Sequence, residues 1–150
     1  FLNTIKMPFP SIHSNYFKFS ELKVGQKETF TVKITEELIQ EFADFSGDKN
    51  PIHLSEKEAL KSIFKKRVAH GFLVSSFLSS IYANLLPGKG SILVEQDLKY
   101  LNPVFINDEV IYKVTILKID NKSKILDLNI SCITTHEVIE GRTKVLLLNS

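Results

Sequence analysis

The chain has one cysteine, Cys132, in 150 residues. An internal disulfide is therefore excluded, and so is a Cys-based metal site. A reducing compartment follows, and the protein is read as cytoplasmic. There is no excess of charge of either sign. Nineteen Lys and Arg stand against 17 Asp and Glu, for a net charge of +2, so a nucleic-acid partner is not expected. No run is long and apolar enough to cross a membrane. The most apolar stretch, Phe72 to Leu86, is too short and is interrupted by Ser75, Ser76, Ser79, Ser80 and Asn84. Repeats and low-complexity tracts are missing too. The length suits one domain with a real core and is too small for two comfortable ones.

What is there divides into helices followed by strands. Met7 reads as a natural start, so residues 1–6 are set aside as foreign sequence. Residues 1–20 are expected to form an N-terminal arm, and 21–150 a single domain. Glu28 to Ile34 alternates like a strand. Thr35 reads as an N-cap for a helix with the stripe Leu38, Ile39, Phe42 and Phe45, which Gly47 ends. Ser55 and Glu58 have capping-box spacing ahead of the pairs Ala59/Leu60 and Ile63/Phe64. The segment between, Ser46 to His53, holds Gly47 and Asn50-Pro51 and reads as an ordered turn.

From Gly71 to Leu86 the spacing predicts a third helix. Leu73, Val74, Phe77, Leu78, Ile81 and Leu85 share an apolar arc, and Ser75, Ser76, Ser79, Ser80 and Ala83 lie opposite. With no charged face, this helix is expected to be buried on most sides. Strands are predicted over 92–100, 109–119, 125–134 and 142–148, with a turn at 120–123. Strands segregated after helices give an α+β fold with an antiparallel sheet covering the long helix.

Polar residues worth weighing cluster in two places. Asp48, Asn50 and His53 sit on the ordered turn. A carboxylate and an imidazole there could activate one water and deliver its proton. An Asx turn and a satisfied histidine near a helix start explain the same residues, and are commoner. His70-Gly71 opens the long helix, where an unpaired N–H beside a missing side chain could polarise a carbonyl oxygen, or could simply make a tight loop entry. Asp48, His53 and His70 could be metal ligands on paper. No HExxH or Cys/His spacing supports that, and no metal or cofactor is expected. No G-x-S-x-G elbow supports a serine nucleophile.

Taken together, Phe45-Ser46-Gly47-Asp48-Lys49-Asn50-Pro51-Ile52-His53 and Arg67-Val68-Ala69-His70-Gly71-Phe72-Leu73 resemble the MaoC-like, (R)-specific enoyl-CoA hydratases. Leu86-Pro87-Gly88-Lys89-Gly90-Ser91-Ile92 and Asn102-Pro103-Val104 continue the likeness, which runs from about residue 20 to the C-terminus. Asn107 departs from it, where the family often has Gly; Asn tolerates positive φ. The resemblance implies a hot-dog fold, a curved antiparallel sheet wrapped around a long central helix. It implies (R)-specific hydration of trans-2-enoyl thioesters of coenzyme A (CoA) or acyl-carrier protein (ACP), or the reverse dehydration. Asp48 and His53 would be the catalytic dyad, Gly71 N–H the thioester carbonyl donor, and Asn50 and Ser79 active-site support. A homodimer is expected. Lys65, Lys66 and Arg67, just before Gly71, are candidates to hold a carrier phosphate, against a solvated surface run. The competing functions are a hot-dog thioesterase, disfavoured by a long helix without Asp or Glu, and a non-catalytic thioester-binding module.

Overall fold

The computed structural model describes residues 14–148. Residues 1–13, most of the expected N-terminal arm, lie outside the described residues. The elements run in the order β1 (Lys27–Lys33), α1 (Glu36–Ser46), α2 (Pro51–Leu54), α3 (Glu56–Lys61), α4 (Gly71–Asn84), β2 (Ser91–Tyr100), β3 (Glu109–Asp120), β4 (Ile125–Ile133) and β5 (Glu137–Leu147). The strands form one antiparallel sheet in the order β1-β3-β4-β5-β2. Register shifts in three of the pairings, between Leu93 and Glu95, Ile116 and Lys118, and Cys132 and Ile133, add local twist and bend. This is the hot-dog arrangement, a curved sheet against one long helix.

Alternation makes the sheet's inner face. Val110, Tyr112, Val114 and Ile116 on β3, and Leu126, Leu128, Ile130 and Cys132 on β4, are all at most 1% exposed. Their alternate neighbours are more open to water. Helix α4 lays Leu73, Val74, Phe77, Leu78 and Ile81 onto this face. Each such side chain stabilises by about 1.5–3 kcal/mol on full burial. The buried Tyr112 phenol needs a partner, and its hydroxyl donates to the Val74 carbonyl at 2.8 Å, pinning α4 to the sheet.

Four expectations need correction. Helix α4 is not covered on most sides: Phe72 is 78% exposed, and Ser76, Ser79 and Ala83 face outward with it. Phe45 is 91% exposed, because α1 turns Ile39 and Ala43 inward and ends one residue later. Helix α3 stops at Lys61, short of the second apolar pair, leaving Ile63 on the surface, and Ser55 caps Glu58 N–H at 3.3 Å while the Glu58 carboxylate pairs with Lys61. Strand β5 begins at Glu137, earlier than the alternation signals, since Val138 and Ile139 are both buried. Asn107 does adopt φ 70°, the conformation for which glycine is the usual choice.

Candidate active site

The turn that carries Asp48 is built from side-chain bonds to the backbone two residues ahead. Gly47, at φ 80°, closes α1 with its N–H on the Ala43 carbonyl. Ser46 Oγ then accepts from Asp48 N–H at 3.1 Å, Asp48 Oδ1 from Asn50 N–H at 3.2 Å, and Asn50 Oδ1 from Ile52 N–H at 3.3 Å. Asn50 is thus the N-cap of α2, and Pro51 fills the first helical position, where no N–H is missed. One turn of helix carries His53 inward to 7% exposure, while Asp48 stays open to water.

His53 is held from two sides. Its Nδ1 lies 2.7 Å from the Val68 carbonyl, so Nδ1 donates and Nε2 is left as a free acceptor in the neutral ring. Arg67 braces the same turn from below. Its Nε donates to the His53 carbonyl at 2.8 Å, and its guanidinium meets Glu36 at the start of α1 and Glu56 at the start of α3. Burial pushes the His53 imidazole below its ordinary range. The bond to Val68 opposes this, His70 adds to it, and Asp48 opposes it. The ring is therefore neutral at pH 7.

His70 ties the pieces together, and the sequence pointed to it only as a helix opener or a ligand on paper. It is 2% exposed. Its Nε2 lies 2.9 Å from the Asp48 carbonyl, its ring stacks on His53 with centroids 3.8 Å apart, and Phe42 packs on it at 5.0 Å. As the N-cap residue of α4 it also immediately precedes Gly71. Its Nδ1 is buried without a hydrogen-bond partner. No periodicity marks such a residue; its role lies in contacts from three separate segments.

A carboxylate oxygen of Asp48 and a ring nitrogen of each of His53 and His70 lie within 4.8 Å of one another. Such a group could be read as a metal centre. The ring stacking argues against it: with planes only 30° apart, the in-plane lone pairs of the two imidazoles run side by side and do not converge on one point. A water suits Asp48 and His53 better. Two acceptors up to about 5.5 Å apart can share one water, each at ~2.8 Å.

His53 and Asp48 each line a cavity, and the two cavities share no lining residue. One, of about 340 Å³, is lined by His53, Phe64, Gly71, Tyr100, Asn102 and Val138 among others. The other, of about 500 Å³, is lined by Asp48, Phe45, Phe72, Ser79, Tyr82 and Gln96 among others. Gly71 opens α4, where the first N–H groups have no intrahelical acceptor. A side chain there would lie 3.1 Å from the Tyr100 ring, so glycine makes room for Tyr100, whose hydroxyl donates to Ser75 Oγ. Ser79 therefore opens on the Asp48 side and Gly71 on the His53 side. Of the basic cluster, Lys65 and Lys66 are exposed. The Arg67 side chain is only 10% exposed and engaged by two carboxylates, so it is removed from any phosphate outside.

Residues 19–139 match the family described as MaoC like domain. The (R)-specific enoyl-CoA hydratase of Rhodospirillum rubrum is 37% identical over 130 residues, covering 86% of this chain and 90% of that protein. A mitochondrial 3-hydroxyacyl-[acyl-carrier-protein] dehydratase of Arabidopsis thaliana is 34% identical over 133 residues, covering 85% of this chain and 79% of its own length. Among solved structures, an (R)-hydratase from A. caviae involved in PHA biosynthesis superposes with a TM-score of 0.81 at 33% identity, over 84% of this chain and 97% of that one.

Proposed function

This chain belongs to the MaoC-like domain family, and from that premise we propose that Asp48 and His53 are its acid–base pair. The reaction is the (R)-specific hydration of trans-2-enoyl thioesters to 3-hydroxyacyl thioesters, or the reverse dehydration. The observation that carries the dyad is a ring nitrogen of a neutral His53, whose Nδ1 is held by the Val68 carbonyl, within 4.8 Å of an Asp48 carboxylate oxygen, a span that one water can bridge.

In the hydration direction the water gives one hydrogen bond to Asp48 and the other to His53. Its lone pair is then free to face the β-carbon of the enoyl group. One of the pair takes the water's proton as the oxygen adds to the β-carbon. Negative charge moves onto the thioester oxygen, where the Gly71 N–H at the start of α4 stabilises it. The proton then passes to the α-carbon from the same side, so the addition is syn. Asn50 acts by capping α2, which aims His53, and Ser79 supports the substrate from the Asp48 side. Lys65 and Lys66 are the cations left to meet a carrier phosphate.

Acyl-CoA and acyl-carrier-protein thioesters are both substrates of relatives, and both carry the acyl group on a phosphopantetheine arm. The homodimer belongs to the same proposal. The edge strand β2 leaves Ile92, Leu93 and Val94 each about half exposed, beside the outward face of α4, and a second copy would cover both. A mass measurement in solution that gives a monomer retaining full activity would remove it. Cytoplasmic placement goes with a single, buried, unpaired cysteine. The dyad is tested by loss of crotonyl-thioester hydration in Asp48→Asn and in His53→Ala, the two losses not adding because they act on one water. Either variant keeping wild-type turnover would overturn the assignment.

A further inference from the structure

Helix α3 and the turn after it leave an apolar pair on the surface that the catalytic reading does not use. Ile63 is 88% exposed and Leu60 60%. Lys57, Lys61, Lys65 and Lys66, all exposed, stand within three residues of one or the other along the chain. The nearby acids are occupied: Glu58 pairs with Lys61 at 2.8 Å, and Glu56 lies 3.8 Å from the Arg67 guanidinium. Lys57 and Lys65 have no ion pair among the described residues. The patch is continuous with the site, since Phe64, the next residue after Ile63, lines the cavity that holds His53 and Gly71.

We propose that this face docks an acyl-carrier protein, a partner with an acidic, partly apolar helix that delivers its phosphopantetheine-borne acyl group into the His53–Gly71 cavity. The inference rests on Asp48 and His53 being the acid–base pair, and it names the carrier. A CoA thioester offers phosphates and an adenine at the cavity mouth, for which cations suffice. It gives no use for two outward aliphatic side chains three residues apart, one on α3 and one in the turn that follows. An apolar centre within a cationic rim is what an acidic protein helix fits. Lone exposed aliphatics are ordinary on protein surfaces. This pair differs in standing beside lysines of which Lys57 and Lys65 have no ion pair among the described residues, and in adjoining the cavity.

The test compares crotonyl-CoA with crotonyl-loaded bacterial acyl-carrier protein as substrates of the full chain. The double variant Leu60→Ser/Ile63→Ser is expected to lower kcat/KM for the carrier-protein substrate by about tenfold, through KM, while crotonyl-CoA turnover stays within about twofold. Lys57→Glu should act the same way, with an effect that fades as salt rises. Both substitutions lie on the surface, and an unchanged crotonyl-CoA rate reports that the fold is intact. A wild-type chain that hydrates crotonyl-CoA and ignores the carrier protein overturns the docking alone, as does an equal fall for both substrates or no fall for either. A changed oligomeric mass in the double variant also overturns it, by assigning the patch to a second copy of this chain. Inertness of the wild type toward both substrates would remove the acid–base reading and the docking with it.

Discussion

Between Ile125 and Ile133 every second side chain is taken out of water; between Ser46 and Ile52 every second side chain bonds a backbone amide. Both segments repeat every two residues, and they serve different ends. In β4 the repeat puts Leu126, Leu128, Ile130 and Cys132 on one face, and the stability of the fold is gathered there. In the turn the repeat fixes a chain path that would otherwise be free, with little burial, and leaves a carboxylate in water beside a buried imidazole. The difference teaches that the two functions of the sequence, holding a fold and holding a site, are written in separable places. That separation can be broken by mutation.

The largest expected effect is on the turn. Asp48→Asn keeps the acceptor for Asn50 N–H and removes the base, so kcat should fall by about 10²–10⁴. Because Asp48 is exposed, the denaturant midpoint should hardly move. A large loss of stability would mean that the turn is part of the core after all. Leu128→Ala should do the opposite. Leu128 is fully buried on the inner face, and its truncation should cost about 2–5 kcal/mol by chemical denaturation. Activity per folded molecule should survive. A matching collapse of kcat in the folded fraction would join the two regions that the comparison keeps apart.

How much of this was legible follows from the same contrast. Burial repeats at fixed spacing leave a trace in sequence, so β4 and most of the inner arc of α4 are readable, although Ser75 and Tyr82, outside that arc, are buried as well. Strand β5 was only half readable because Val138 and Ile139 are both buried near a register shift, and because Gly141 sits where β2 passes so close that a Cβ would lie 2.0 Å from the Asp97 carbonyl oxygen. The Asp48–His53 spacing was visible, and the resemblance gave it meaning. What no local pattern holds is the work of Arg67 and His70. Arg67 looks like the end of a basic run, yet it meets carboxylates 31 and 11 positions earlier in the chain. His70 looks like a helix opener, yet it touches Asp48 and His53. Such roles arise only when distant segments are brought together.

His70 ties the turn to α4, the helix laid on the sheet's inner face, so its substitution sharpens the contrast. His70→Phe keeps a flat ring against His53 and Phe42 but loses the hydrogen bond to the Asp48 carbonyl. The turn then loses its tie to α4, and kcat should fall by about 10- to 100-fold with KM changed less, since a misplacement on the order of 1 Å is enough. Stability should fall by only about 1 kcal/mol, the worth of one hydrogen bond. The variant carries a second readout. His70 is one of the groups that lower the His53 proton affinity, so its removal should move the acid limb of kcat/KM upward in pH. A purely structural role would leave that limb where it was.

The smallest effect is the pH dependence of stability from His53, and its sign follows from burial. The folded chain holds the His53 imidazole below its ordinary value, with desolvation the main cause. An unfolded chain returns it to about 6.5. Between those two values the unfolded state binds more protons than the folded one, so stability rises with pH across that window. It is fully present above about pH 6.5 and is lost as pH falls through the lowered folded value. The same neutral ring is what accepts from the catalytic water, so the acid limb of kcat/KM should also lie below the ordinary histidine range. His53→Gln removes the titration and should flatten the stability profile over that window relative to wild type, measured by denaturant midpoints at stepped pH. A wild-type chain that gains stability as the solution is acidified from pH 7 to 5, with that gain lost in His53→Gln, would mean the folded site favours the charged imidazole. The shared-water geometry with two acceptors would then fail.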